Sequence, residues 1–112
     1  MTKFMNSRYD TYGFTTAMLE EIASYLQQIL NLLLEERDSS YYAGTYYLYK
    51  QAYGKELRVY NNHDPIQDLY VREQYRDYPV ILQINNLDNM DEIQQKLMAG
   101  LKGIALLHSR IA

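Results

Sequence analysis

The sequence predicts an α+β fold: a single, mainly antiparallel sheet of about four to six strands with two amphipathic helices packed on one face. Three features predict it. A helix-period run occupies the first third of the chain, tyrosine-rich and β-branched segments follow with no helix between them, and a second helix-period run precedes a short apolar segment. The coarse order is β-α-β-β-β-α-β, with no internal repeat, linker or low-complexity tract, so residues 1–112 are read as one domain.

Lys3, Phe4, Met5, Asn6, Ser7, Arg8 and Tyr9 alternate loosely, and residues 3–9 are read as a first strand. Placed at about 100° per residue, Met18, Leu19, Ile22, Ala23, Tyr25, Leu26, Ile29, Leu30 and Leu33 fill one arc of roughly 160°. Glu20, Glu21, Ser24, Gln27, Gln28 and Asn31 fill the opposite side. Thr15 or Thr16 is available as the N-cap, and the two glutamates stand near the first turn, where the helix dipole favours acids.

A polar step, Glu35 to Ser40, leads into the run from Tyr41 to Tyr49, whose aromatic density reads as strand. Leu32 to Asp38 is a candidate for one more. Gly54 and Lys55 supply the turn into Leu57–Tyr60, with Leu57 and Val59 facing one way and Arg58 and Tyr60 the other, so residues 45–60 form a hairpin. Residues 61–78 open with the turn-formers Asn61, Asn62, His63, Asp64 and Pro65 and are read as the longest loop, with a helical turn at 68–75. After Pro79, the nearly continuous apolar run Val80, Ile81, Leu82, Gln83, Ile84 fits a central strand ended by Asn85 and Asn86.

The second helix is expected to start at Asp88, with Asp91 completing a shortened capping box and Leu87 stapling against it. Met90, Ile93, Leu97, Met98 and Leu101 make its apolar stripe, Gly100 or Gly103 closes it, and Ile104 to His108 form the last strand. Leu26, Ile29, Leu82, Ile84, Ile93, Leu97 and Leu106 are the expected core.

At 112 residues, with 47% hydrophobic and 22% charged residues, the chain can build one real core and lacks the signature of disorder. With no cysteine, disulfides, thiolate catalysis and cysteine-based zinc sites are excluded. No leader-like segment and no long apolar window occurs, so a cytoplasmic protein without a membrane role is expected. A net charge of −3, with the basic residues spread along the chain, speaks against a nucleic-acid partner and for a basic one.

Catalytic chemistry has little to stand on. His63 beside Asp64, with His108 as a second imidazole, is the one pattern that suggests acid–base work on RNA. Asp64 with Asp68, or Glu35 and Glu36 with Asp38, could share a cation, but neither set has the spacing of a calcium loop or a zinc hydrolase. The five glycines, at 13, 44, 54, 100 and 103, form no phosphate loop. No cofactor is expected. Thirteen tyrosines against two phenylalanines and no tryptophan are the unusual feature; tyrosine suits a half-buried sheet face and a protein interface about equally. Stacking of bases on them is weakened by the lack of any Lys or Arg between Tyr41 and Tyr49.

In segment order, the amphipathic first helix, "EERDSSYYAGTYYLY", the strand near "LRVYNN", the "YRDYPVILQINN" step and the closing helix and strand resemble small immunity proteins of bacterial contact-dependent growth inhibition and polymorphic toxin systems. The resemblance implies a cytoplasmic, non-enzymatic inhibitor that binds its cognate toxin domain, commonly a nuclease, and blocks the active site. Such proteins share no catalytic signature, so the interface candidates rest on physics. A nuclease holds phosphates in a basic cleft, which an acidic, aromatic surface complements. Glu35, Glu36, Asp38, Tyr41, Tyr42, Asp64, Asp68 and Glu73 are the expected partner-binding residues, the acids steering and pairing, the tyrosines anchoring. A monomer, or a weak dimer through a sheet edge, is expected. The alternatives are a nucleic-acid-binding module with a tyrosine-rich sheet face, or a small His-dependent ribonuclease.

Overall fold

The computed structural model describes residues 7–15 and 18–112. Eight strands and two α-helices follow in the order β1 (Arg8–Phe14), α1 (Leu19–Leu30), β2 (Glu35–Ser39), β3 (Gly44–Ala52), β4 (Lys55–Asn61), β5 (His63–Asp64), β6 (Leu69–Tyr70), β7 (Val80–Asn85), α2 (Met90–Gly100) and β8 (Ile104–Ile111). Six strands form one sheet in the order β2-β3-β4-β7-β1-β8, and every neighbouring pair is antiparallel. β5 and β6 form a separate two-stranded ribbon. The α+β class, the sheet and the two helices on one face are as the sequence predicts.

Strand period explains how the sheet divides its faces. The cross-strand row Tyr47–Val59–Leu82–Tyr12 and its neighbours Leu57, Ile84, Val80 and Phe14 point to the helices. Leu19, Ile22 and Leu26 of α1 and Leu97 of α2 close the core over them, with Leu87 at its edge. β7 carries Val80, Ile81, Leu82 and Ile84 buried because it lies between β4 and β1 and is covered on both faces. Of the expected core, Leu26, Leu82, Ile84 and Leu97 are fully buried, while Ile29 and Ile93 are partly buried. Leu106 is 36% exposed, because β8 is an edge strand and the helices do not cover it completely.

Several boundaries differ from expectation for identifiable reasons. The first strand is Arg8–Phe14, not residues 3–9, of which 3–6 lie outside the described residues. Its alternation is hidden in sequence because an inward position holds a buried carboxylate, Asp10. That carboxylate accepts from Arg8 at 3.1 Å and from the Ser109 hydroxyl at 2.6 Å, and Arg8 reaches on to Gln94 and Asp91 of α2. Hydrogen bonding to Asp10, opposed by burial, raises the Arg8 guanidinium above its ordinary value.

α1 begins after Met18, which makes no side-chain cap; Thr15 instead bonds the Gly103 carbonyl, and Thr16 lies outside the described residues. The helix stops at Leu30, where Asn31 takes a left-handed conformation. Leu33 is therefore off the helical stripe and exposed, as are Met18 and Tyr25 at its margins. The extra strand suspected at 32–38 is Glu35–Ser39. α2 starts at Met90 behind a left-handed Asn89 with no side-chain cap, and Asp88 pairs with Lys55 at 3.0 Å. Met98 faces outward. Gly54, at φ +75°, makes the β3–β4 turn, and the last strand runs past His108 to Ile111.

Candidate binding surface

The helix-free face of the sheet carries a second cross-strand row, Arg58–Gln83–Thr11–His108, running over β4, β7, β1 and β8. Asn85, Tyr9 and Arg110 form the row beside it. Together they floor a groove of about 640 Å³. One wall is the segment Val71–Tyr75; Tyr41 and Tyr42 close another side.

Asn62 holds the first wall in place. It is fully buried, and its amide donates to the carbonyls of Arg72 (3.1 Å) and Tyr75 (2.9 Å) while accepting from the Arg72 N–H at 2.7 Å. Its own backbone bonds Pro79 and Val71, both at 2.8 Å. One asparagine thus fastens the 71–79 segment over the sheet by replacing the strand pairing that the segment lacks. Tyr78 completes the cover by lying where a side chain on Gly13 would stand.

No carboxylate lines the groove, although the chain carries net negative charge. Arg58 lies over the Tyr42 ring at 4.7 Å and Arg110 over Tyr9 at 5.0 Å, cation–π contacts that fix both guanidinium groups. Arg58 also pairs with Glu56. Among the described residues, Arg72 and Arg110 make no ion pair. Among the described residues, the buried Arg58 Nε has no hydrogen-bond partner. Burial raises the Tyr60 phenol above its ordinary value, and the Arg72 side chain beside the hydroxyl opposes the rise. Burial likewise raises Tyr42, against the pull of Arg58.

Of the expected interface residues, Tyr41 and Tyr42 line this groove, and the acids lie outside its lining in two groups. Tyr41 and Tyr42 lie not in a strand but in a 3₁₀ turn, Ser40–Tyr42, which Ser39 caps by accepting from the Tyr41 N–H and which Ala43 closes in a left-handed conformation. That turn meets the β5–β6 ribbon, so Tyr41 and Asp64 line one notch. Asp64 caps the ribbon turn by accepting from Ile66 and Gln67, Asp68 pairs with His63 at 2.8 Å, and Glu73 pairs with Arg76 at 2.7 Å. Glu35, Glu36 and Asp38 form the second group, along the edge strand β2, where Glu35 pairs with Arg37 at 2.6 Å. Ile66, Leu69 and Tyr41 are 93%, 59% and 73% exposed among these acids.

Sequence reasoning missed the groove arginines, since Arg58, Arg72 and Arg110 are far apart in the chain. Only the alternation of Arg58 and Tyr60 against Leu57 and Val59 pointed to that face. The tyrosines also divide: Tyr42, Tyr46 and Tyr60 cluster on the open side, whereas Tyr47 and Tyr49 pack against the core. His63 bonds Asp68 rather than its neighbour Asp64, and it does not line the groove that holds His108. Among the described residues no group of three or more His, Asp or Glu could hold a metal, and no helix is long and apolar enough to cross a membrane. The chain matches no protein-family model and no curated protein.

Proposed function

We propose that this chain is a non-enzymatic, cytoplasmic immunity protein that binds a cognate bacterial toxin domain, basic and nuclease-like, and occludes its active site. One observation carries the reading: large apolar side chains, Tyr41, Ile66 and Leu69, stand exposed beside Asp64 and Asp68 on the turn and ribbon that flank the groove. Exposed apolar groups rimmed by polar and charged side chains are the pattern of a protein-binding surface. The β2 acids Glu36 and Asp38 extend the negative field along the sheet edge. Resemblance in segment order to immunity proteins supplies the partner class.

The test is affinity purification from the native host, followed by binding measurements on the recovered partner. A basic toxin domain is expected, with Tyr41→Ala weakening the complex by about 2 kcal/mol as an anchor should. Recovery of the chain alone, or a partner indifferent to Tyr41, contradicts the reading. A nucleic-acid module is the second reading, and the groove arginines beside Tyr9 and Tyr42 are the observation that favours it. The net charge of −3 opposes it, because an acidic chain repels a phosphate backbone.

A further inference from the structure

We infer that the groove on the helix-free face is a carboxylate-binding site, which receives an acidic segment of the polypeptide partner. The inference rests on the protein-binding reading only in taking the partner to be a polypeptide.

Three features of the groove converge on an anionic occupant. It is lined by three arginines and no acid. Arg72 and Arg110 are without ion pairs among the described residues, so their planar forks are available for bidentate contact with an oxyanion. Stacking of Arg58 on Tyr42 and of Arg110 on Tyr9 holds both guanidinium groups in place, so less side-chain freedom is lost when an anion binds.

Carboxylate is favoured over a phosphate backbone on two grounds. The groove offers only two uncompensated arginines, since Glu56 holds the charge of Arg58, while binding of a nucleic-acid strand draws on several phosphate contacts and is opposed by the net negative charge of the chain. Gln74, Gln83 and Asn85 in the lining present amide donors and acceptors together. A peptide backbone needs both; phosphates only accept. The partner surface that this molecule fits is thus bipolar, with basic groups against Asp64 and Asp68 of the ribbon and an acidic residue or chain terminus in the groove.

The test is an NMR titration of the full chain with polyglutamate, observing the side-chain Nε–H resonances of Arg58, Arg72 and Arg110, beside a neutral Gly/Ser peptide and an oligouridylate. Saturable shifts with polyglutamate alone are expected, weakened about tenfold in Arg72→Gln and in Arg110→Gln. The urea midpoints of both variants stay at the parent's value, which separates lost binding from lost folding. Silent arginine resonances in polyglutamate overturn the inference, and so does tighter binding of the oligouridylate. Because the probe is not the toxin, a responsive groove in a chain that recovers no toxin domain supports the carboxylate site and removes the immunity reading. A toxin domain captured by a chain whose groove stays silent does the reverse.

Discussion

Gly13→Ala is expected to destabilise the fold by about 1 to 2 kcal/mol and to loosen the groove wall. In most strands an alanine replacing glycine stabilises by roughly 0.5 to 1 kcal/mol, through the lower entropy of the unfolded chain. Here the added Cβ would stand 2.6 Å from Tyr78 Cγ and 2.8 Å from Leu107 Cδ1. Ordinary contact lies near 3.5 to 4.0 Å, so the Tyr78 ring has to move by about 1 Å. Tyr78 cannot shift alone: its N–H bonds the Tyr75 carbonyl at 2.9 Å, and that same carbonyl accepts from Asn62. Overpacking of this kind costs about 1 to 3 kcal/mol, which exceeds the entropic gain. Urea unfolding measures the loss as a lower midpoint at unchanged slope. A Tyr78→Ala background should abolish most of it, since the ring is the main obstacle. Stability of Gly13→Ala equal to or above the parent, or the same loss with and without Tyr78, refutes the reasoning.

Truncating Leu82, fully buried at the centre of the sheet, to Ala should cost about 2 to 5 kcal/mol in urea unfolding. Asn62→Asp keeps the acceptor but loses two donors facing carbonyl oxygens; about 2 to 4 kcal/mol is expected, with trypsin cleavage appearing first at Arg72 or Arg76 in the released segment. Burial raises the phenols of Tyr12 and Tyr60, so the native state retains protons that the unfolded chain gives up. Their contribution is intact below the unfolded tyrosine value of about 10 and is lost as pH rises beyond it, giving a falling urea midpoint in alkaline titration.

How much of this was legible in sequence follows from which interactions are local. α1 was readable because Leu19, Ile22 and Leu26 repeat at helical spacing, and β7 because a strand covered on both faces needs an apolar run. The β3–β4 hairpin was marked by Gly54 and by alternation after it. β1 was not, because its inward Asp10 is compensated by Arg8 and Ser109, a partnership spanning almost the whole chain. Tyr41 and Tyr42 have strand composition, but the Ser39 cap and the left-handed Ala43 turn the chain there. Of the residues proposed for the interface, Glu35, Glu36, Asp38, Tyr41, Asp68 and Glu73 are exposed, as their polar or turn-rich surroundings in the sequence suggest. The groove was not legible there, since placing Arg58, Thr11 and His108 in one row requires the register of four strands.

The central claim, that an acidic surface captures a basic protein, is tested most directly by association kinetics of the recovered partner at two salt concentrations. Glu35 and Glu73 are partly neutralised by Arg37 and Arg76, which makes Glu36 and Asp38 on β2 the better reversals. Glu36→Lys and Asp38→Lys should lower the on-rate and flatten its salt dependence while the urea midpoint stays put. An on-rate indifferent both to salt and to these reversals contradicts the claim.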